Sequence, residues 1–371
     1  MQVRVTKQLH TTRKHKVLCT IIALVVAMVL TSLLIAVMGH NPFQVYYSMI
    51  EGCIGTPHRI RQTIITAIPL VIASVGVGIA FRMKFWNIGA EGQILMGGCF
   101  ATFAALYFKD LPAIILIPTM MLLGAIGGGV WALIPALLKA KFNTNETIVT
   151  LMMNYIALKW IVFLQYGPWK DPAAMGFPKI ANFTDNAILP KVFGVHIGWI
   201  IALVLVVAVY YFIYHTKTGY EIQVLGESEN TARYAGMNVK KIILVAMMLS
   251  GAICGLTGMI QASAVNNTLT MELTAGVGNT AIIIAWLSNL KTPWMLIVSI
   301  LFAILNQGAS YIQTVYQIPQ AAAEVIQGIV LFCVLGGQFF IHYKVRLEKS
   351  TKRISSESLW KEKQVSKGEV A

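Results

Sequence analysis

The sequence predicts an all-α polytopic membrane protein of about ten transmembrane helices, and three observations carry that expectation. Of its 371 residues 57% are hydrophobic and 12% charged, whereas soluble domains carry roughly 25% charged residues. Its apolar runs reach the roughly 20 residues with which a helix rising 1.5 Å per residue crosses a hydrocarbon core of about 30 Å. These runs recur along the whole chain, and the loops between them hold most of its 29 lysines and arginines.

The spans fall at 17–38, 63–81, 88–108, 113–138, 147–166, 197–215, 242–264, 276–287, 293–312 and 323–341. Arg13, Lys14 and Lys16 precede the first as they would precede a signal peptide. That run is longer than a usual signal core and no small-x-small cleavage site follows before Gly39, so it reads as a retained span.

Positive charge stays on the cytoplasmic side of a membrane protein. An inner amino terminus puts Arg4, Lys7, Arg13, Lys14, Lys16, Arg82, Lys84, Lys139, Lys141, Lys217, Arg233, Lys240, Lys241, Lys291 and eight tail residues inside, 22 of the 29. Six lie outside (Arg59, Arg61, Lys109, Lys170, Lys179 and Lys191), and Lys159 falls within a span, where it can snorkel. Both termini are therefore expected in the cytoplasm. The net charge of +14 is dispersed over loops and tail, which argues against a nucleic-acid partner.

The organisation that follows is a cytoplasmic amino terminus (1–16), one transmembrane domain (17–341) containing a cytoplasmic loop (216–241), and a polar cytoplasmic tail (342–371). The tail is expected to be mostly disordered, with lysines facing anionic membrane lipid. The outer loop 167–196 carries four prolines with Trp169, Phe177, Phe183 and Phe193, a composition expected to fold against the membrane surface. Cys19, Cys53, Cys99, Cys254 and Cys333 show no paired spacing, so neither a disulfide framework nor a metal site is expected.

The loop 216–241 is unusually well provided with helix signals. Ser228 suits an N-cap, Glu229 the first turn, Arg233 the last turn and Gly236 the left-handed C′ position. A docking helix is the function such a loop suggests.

Glu91, Glu146, Glu272 and Glu324 lie in or beside apolar spans, where charge is costly. Glu91 precedes Glu146 by 55 residues and Glu272 precedes Glu324 by 52, the first pair expected at the cytoplasmic side and the second at the outer side. This suggests an inverted repeat that matches spans two to five with spans seven to ten. Favourable first-turn positions on helix dipoles explain Glu146 and Glu324 without a repeat.

In "FRMKFWNIGAEGQILMGG" (81–98) Gly89 and Gly92 suggest a broken entry into the membrane, with Asn87, Glu91 and Gln93 lining either a cavity or a structural bend. Asn154, Asn266, Asn267, Glu272, Asn279, Asn306, Gln307 and Gln327 complete a candidate solute pathway, suited to an uncharged hydrogen-bonding solute. Interhelical bonding is the plainer role for each of them. Gly124, Gly127, Gly128 and Gly129, with Gly251, Gly255 and Gly258, read as close helix packing. The chain holds no phosphate-binding G-x-x-x-x-G-K-[ST] loop, no H-E-x-x-H and no G-x-S-x-G, so neither an ATPase site nor a bound cofactor is expected.

Three segments, the one at 81–98, "NTNETIVTLMMNYIA" (143–157) and "GESENTARYAGMNVKKIILVAMMLSGAICGLTG" (226–258), resemble the permease subunits of bacterial ABC importers in the ribose and branched-chain amino acid branch. The resemblance is closest to permeases of nucleoside uptake systems. It implies that Gly226, Glu227, Ser228, Glu229, Asn230, Ala232, Arg233, Tyr234 and Gly236 form a coupling helix against a cytoplasmic ATPase subunit, which binds the ATP. It also implies a second homologous permease, an extracytoplasmic substrate-binding lipoprotein and a place in the bacterial cell membrane. Members of the group that carry riboflavin or simple sugars are alternatives for cargo. An ion-coupled secondary transporter using Glu91 and Glu272 is the alternative of a different class.

Overall fold

The computed structural model describes residues 2–7, 13–172, 174, 176 and 178–348. Phe177 of the outer loop and the tail beyond 348 lie outside the described residues. The described helices are α1 (Arg13–Val37), α2 (Pro42–Ile54), α3 (Pro57–Arg82), α4 (Ala90–Tyr107), α5 (Ala113–Phe142), α6 (Glu146–Tyr166), α7 (Gly198–His215), α8 (Lys217–Glu227), α9 (Glu229–Tyr234), α10 (Val239–Ile260), α11 (Val277–Leu287), α12 (Thr292–Tyr316) and α13 (Gln320–His342). A π-helical turn, Gln261–Asn266, prolongs α10. Strands β1 (Gln2–Lys7), β2 (Lys191–Val192), β3 (Val195–His196) and β4 (Tyr343–Glu348) complete the described elements.

Each of the ten expected spans falls on a helix, and eight of these helices are long and apolar enough to cross a bilayer. The protein is a multi-pass, all-α membrane protein. The third span, α4, opens on polar residues, and the eighth, α11, has only 11 residues. Helix α2 is unexpected, although its start is marked by Asn41, whose Oδ1 accepts the Phe43 N–H at 3.0 Å, and by Pro42 at N1.

The chain divides into two compact units. The smaller comprises 1–39 and 328–371; in it β1 pairs antiparallel with β4, so the first residues of the tail are a strand, and Gly337 lies against Ala23 of α1.

The larger unit, 40–327, is organised around α3 and α10, whose apolar stretches are the most enclosed of the candidate spans. Helix α10 packs on α3, α4 and α5, while α3 packs on α10, α11 and α12. This is the reciprocity that exchange of spans two to four with spans seven to nine would produce. Small residues make it possible: Gly97 of α4 and Gly128 of α5 meet Gly255 of α10 at backbone contact, and a methyl group on Gly258 would overlap the Ile94 carbonyl.

Residues 180–189 of the loop between α6 and α7 fold onto the far end of α10. Ser263 donates to the Ala187 carbonyl at 2.5 Å and accepts the Leu189 N–H at 3.1 Å; Thr268 donates to the Ile180 carbonyl at 3.0 Å. Strands β2 and β3 form a hairpin whose two turn residues, Phe193 and Gly194, have φ of 55° and 79°, the left-handed pair of a type I′ turn. This hairpin buries His196 to 2% exposure, and neither ring nitrogen has a protein partner. Burial pushes its pKa down from 6.5 to about 4, with the Lys191 charge a smaller cause.

Two predictions follow from this packing. Gly258→Val should destabilise the protein by about 1–3 kcal/mol or more through overpacking against α4, read as a lower melting temperature in detergent, whereas Gly39→Ser, a substitution with nothing within 4 Å, should cost only the local strain of its φ of +83°. Because folded His196 resists protonation until about pH 4 and the unfolded chain accepts a proton near 6.5, stability should fall as pH drops below 6.5. The loss should reach about 3 kcal/mol near pH 4, and His196→Phe should flatten that part of the stability-against-pH curve.

Candidate functional site

Two neighbouring features carry the chemistry: the α8–α9 loop and the broken backbone between α3 and α4. In the loop, Ser228 Oγ accepts the Thr231 N–H at 3.3 Å as the N-cap of α9. Arg233 in the last turn reaches back to Glu229 in the first, at 2.6 Å. The end of α9 is a Schellman motif: Gly236, at φ +74°, donates to the Arg233 carbonyl, and Met237 donates to the Ala232 carbonyl, both at 3.0 Å. Every helix signal read from the sequence is used. Ala232 is buried, while Asn230 and Tyr234 are exposed, Tyr234 to 93%. Beside α9 runs a groove of about 510 Å³ whose lining includes Lys217, Tyr220, Glu221, Met237 and Lys241.

The loop rests on the C-terminal end of α3. Gly226 in the last turn of α8 lies directly on the Arg82 carbonyl, and the carbonyl of Glu227 accepts Lys84 Nζ at 3.5 Å. Any side chain at 226 would hold the loop away from α3.

From Met83 to Gly89 the backbone is not helical; Met83, Phe85, Asn87 and Gly89 are buried, while Lys84 and Trp86 are exposed. Lipid offers no hydrogen bonds, so such a stretch survives only where protein supplies them. Asn87 Oδ1 accepts the Gly89 N–H at 3.1 Å and Gln93 Nε2 at 3.0 Å; Asn87 Nδ2 lies 3.3 Å from Gln93 Oε1 and 3.4 Å from Ser250 Oγ. Thr150 Oγ1 accepts the Ile88 N–H at 3.2 Å. Asn154 bridges two orphans, donating to the Ile88 carbonyl and accepting the Gly92 N–H, each at 2.8 Å.

Glu91 then crosses between the halves of the bundle. Its Oε1 accepts the backbone N–H of Asn279 at 3.1 Å, in the first turn of α11, and Gly278 lies on the backbone of Ala90 and Glu91. Two helix N-termini thus meet. Asn87 contacts Ser250, eleven residues into α10, which places the break about 16 Å along that helix from its start.

The candidate pathway residues do not form one cluster. Asn87, Glu91, Gln93, Asn154 and Asn279 gather at the break. Asn266 contacts Thr270 at 3.4 Å, Asn267 offers its carbonyl to Phe183, and Glu272 is exposed in the turns before α11. Asn306 pairs with Gln327 at 2.6 Å, and Gln307 is half-buried on α12.

The glutamate pairing that suggested the repeat needs correcting. Glu91 is the second residue of α4 and meets Gly278, the second residue of α11; Glu272 lies six residues upstream of that equivalence. Glu91 is buried against the backbone of α11, and Glu146 pairs with Lys139 at 2.9 Å. Thr150, Ser250 and Arg82 were not foreseen as parts of the site, since a hydroxyl in a span gives no sign of its partner and Arg82 was counted only as a topology charge.

A multi-span helical bundle in which the N-termini of two helices meet, with a capped, exposed helix on a polar loop, has the design of a membrane permease. Residues 59–335 match the family described as branched-chain amino acid transport system / permease component, and the chain belongs to that family. It is similar to a glucose ABC transporter permease of Haloferax volcanii, 29% identical and covering 88% of each chain. It is likewise 29% identical to the guanosine permease NupP of Bacillus subtilis, over 87% of this chain and 94% of that one. The nucleoside permease NupB of Lactococcus lactis is 27% identical, with 87% and 91% covered.

Asn154 tests the account of the break. Asn154→Leu strips partners from both the Ile88 carbonyl and the Gly92 N–H and should cost about 2–4 kcal/mol, whereas Asn154→Asp, which keeps the acceptor, should cost about half that. Thermal melting of the purified variants gives the ranking.

Proposed function

We propose that this chain is the membrane-spanning permease of an ABC importer for nucleosides. Cytoplasmic ATPase subunits bind the ATP, a second similar permease completes the membrane part, and an extracytoplasmic lipoprotein delivers the solute. The observation that carries this reading is α9, a helix of six residues with both ends capped, Tyr234 exposed to 93%, and a base seated on Arg82–Lys84. A loop so fully ordered and so exposed suits rigid docking, and the adjoining groove gives a partner a concave edge. With the loop face cytoplasmic, as the charge distribution favours, both termini are cytoplasmic as well.

Relatives named for guanosine and nucleosides favour that cargo. A neutral, hydrogen-bonding solute also suits the amide-rich residues that remain outside the break, Asn266, Asn267, Asn306, Gln307 and Gln327. The relative named for glucose supports a simple sugar as the second reading. Ion coupling through Glu91 is disfavoured, because its carboxyl group is engaged with the Asn279 backbone.

The test is co-purification with a cognate ATPase, followed by uptake in proteoliposomes. Wild type should form the complex and import only with ATP. Arg233→Glu, which breaks the Glu229 pair and reverses an exposed charge, should weaken the complex at least about tenfold, or ~1.4 kcal/mol. Uptake that ignores the ATPase and collapses with an ion gradient, or an Arg233→Glu variant as active as wild type, would overturn the proposal.

A further inference from the structure

Ten residues, Arg82 to Glu91, run alongside α11 from one end to the other. At the C-terminal end of α11 the Arg82 guanidinium donates to the Leu290 carbonyl, from Nε at 3.0 Å and also from Nη2, and to Thr292 Oγ1 at 3.2 Å. Between the ends Trp86 stacks on Trp286 with centroids 5.3 Å apart. At the N-terminal end, where α11 has no side-chain cap of its own, Glu91 accepts the Asn279 N–H. Glu91 thus meets the positive end of the α11 dipole, while Arg82 grips the turn that joins α11 to α12, at Leu290 and at Thr292, the first residue of α12.

The same segment is what the α8–α9 loop stands on, through Gly226 on Arg82 and Lys84 on Glu227. Three non-glycine residues with positive φ cluster there: Lys84 at 57°, Asn289 at 49° and Leu290 at 57°. Left-handed backbone costs on the order of 1 kcal/mol at such residues and persists where surrounding contacts impose it.

We infer that Arg82–Glu91 is a strap that fixes α11 to the end of α8, so that displacement of the α8–α9 loop moves α11 and the α4–α11 junction with it. Arg82 and Glu91 are its positioning residues. The strap deepens the importer reading, in which that loop is the docking surface, but its geometry is measurable on the permease alone.

The experiment is amide hydrogen exchange on the full chain in nanodiscs, read at Asn279. Glu91→Ala should speed exchange there at least about tenfold, the minimum expected for losing a hydrogen bond to a charged group, and Glu91→Gln, which keeps an acceptor, should restore most protection. Gly226→Val, which lifts α8 from Arg82, should also speed exchange at Asn279, the sign of transmission. Arg82→Lys, a milder change, should give the same pattern at reduced size. In the assembled complex Glu91→Ala should lower solute moved per ATP hydrolysed. Exchange at Asn279 unchanged in Glu91→Ala, Gly226→Val effects confined to α8, or uptake and hydrolysis falling in equal proportion would each overturn the strap. Failure to assemble with any ATPase would instead count against the importer reading and leave the exchange result to decide the strap.

Discussion

Everything in the larger unit depends on how the backbone between α3 and α4 finds hydrogen bonds where lipid offers none. A helix that starts within a membrane bundle leaves its first N–H groups unpaired unless protein covers them. Here the cover comes from α4 itself through Gln93, from α6 through Thr150 and Asn154, and from α10 through Ser250. Helix α11 begins beside it and takes its cap from Glu91, across the bundle. Neither short helix is self-sufficient, so the two halves of the domain must be folded together for either to exist.

That mutual dependence explains the glycines. Side chains as short as Asn and Ser reach neighbouring backbones only if helices approach more closely than leucine-lined surfaces allow. Gly97, Gly128, Gly255 and Gly258 bring α4, α5 and α10 to backbone contact, which sets the distance at which Asn87 can meet Ser250. Helix α11 has no such glycine seam along its length. It packs on α3 and is tied near its ends by Arg82 and Glu91, with a tryptophan stack between.

The helices were legible in the sequence because hydropathy and capping act locally. Ser228, Glu229, Arg233 and Gly236 foretell α9 residue by residue, since each acts on the backbone within four positions. The break was legible at Gly89 for the same reason, although Gly92, expected to share in it, is helical in α4. The partners of the break were not, because Asn87 and Ser250 are 163 residues apart and only packing joins them. Polar residues that looked like one pathway divided into separate groups: those at the break serve backbone groups, and Asn306 with Gln327 forms an interhelical pair. Helix α2 was missed because its 13 residues are too few to span a membrane, although Gly52 and Cys53 pack it firmly on α12.

The position of Glu91 also bears on what can pass. Converging helix N-termini at mid-membrane create a field that favours anions, and transporters use it to bind negatively charged groups. In this protein the chain supplies the anion itself, with Glu91 on α4 reaching the first turn of α11. An acidic solute would have to displace a carboxylate that is 9% exposed and already hydrogen-bonded. A neutral solute meets no such competition. At this junction the positive helix end is already met by the protein's own carboxyl group, in keeping with the neutral, hydrogen-bonding cargo proposed above.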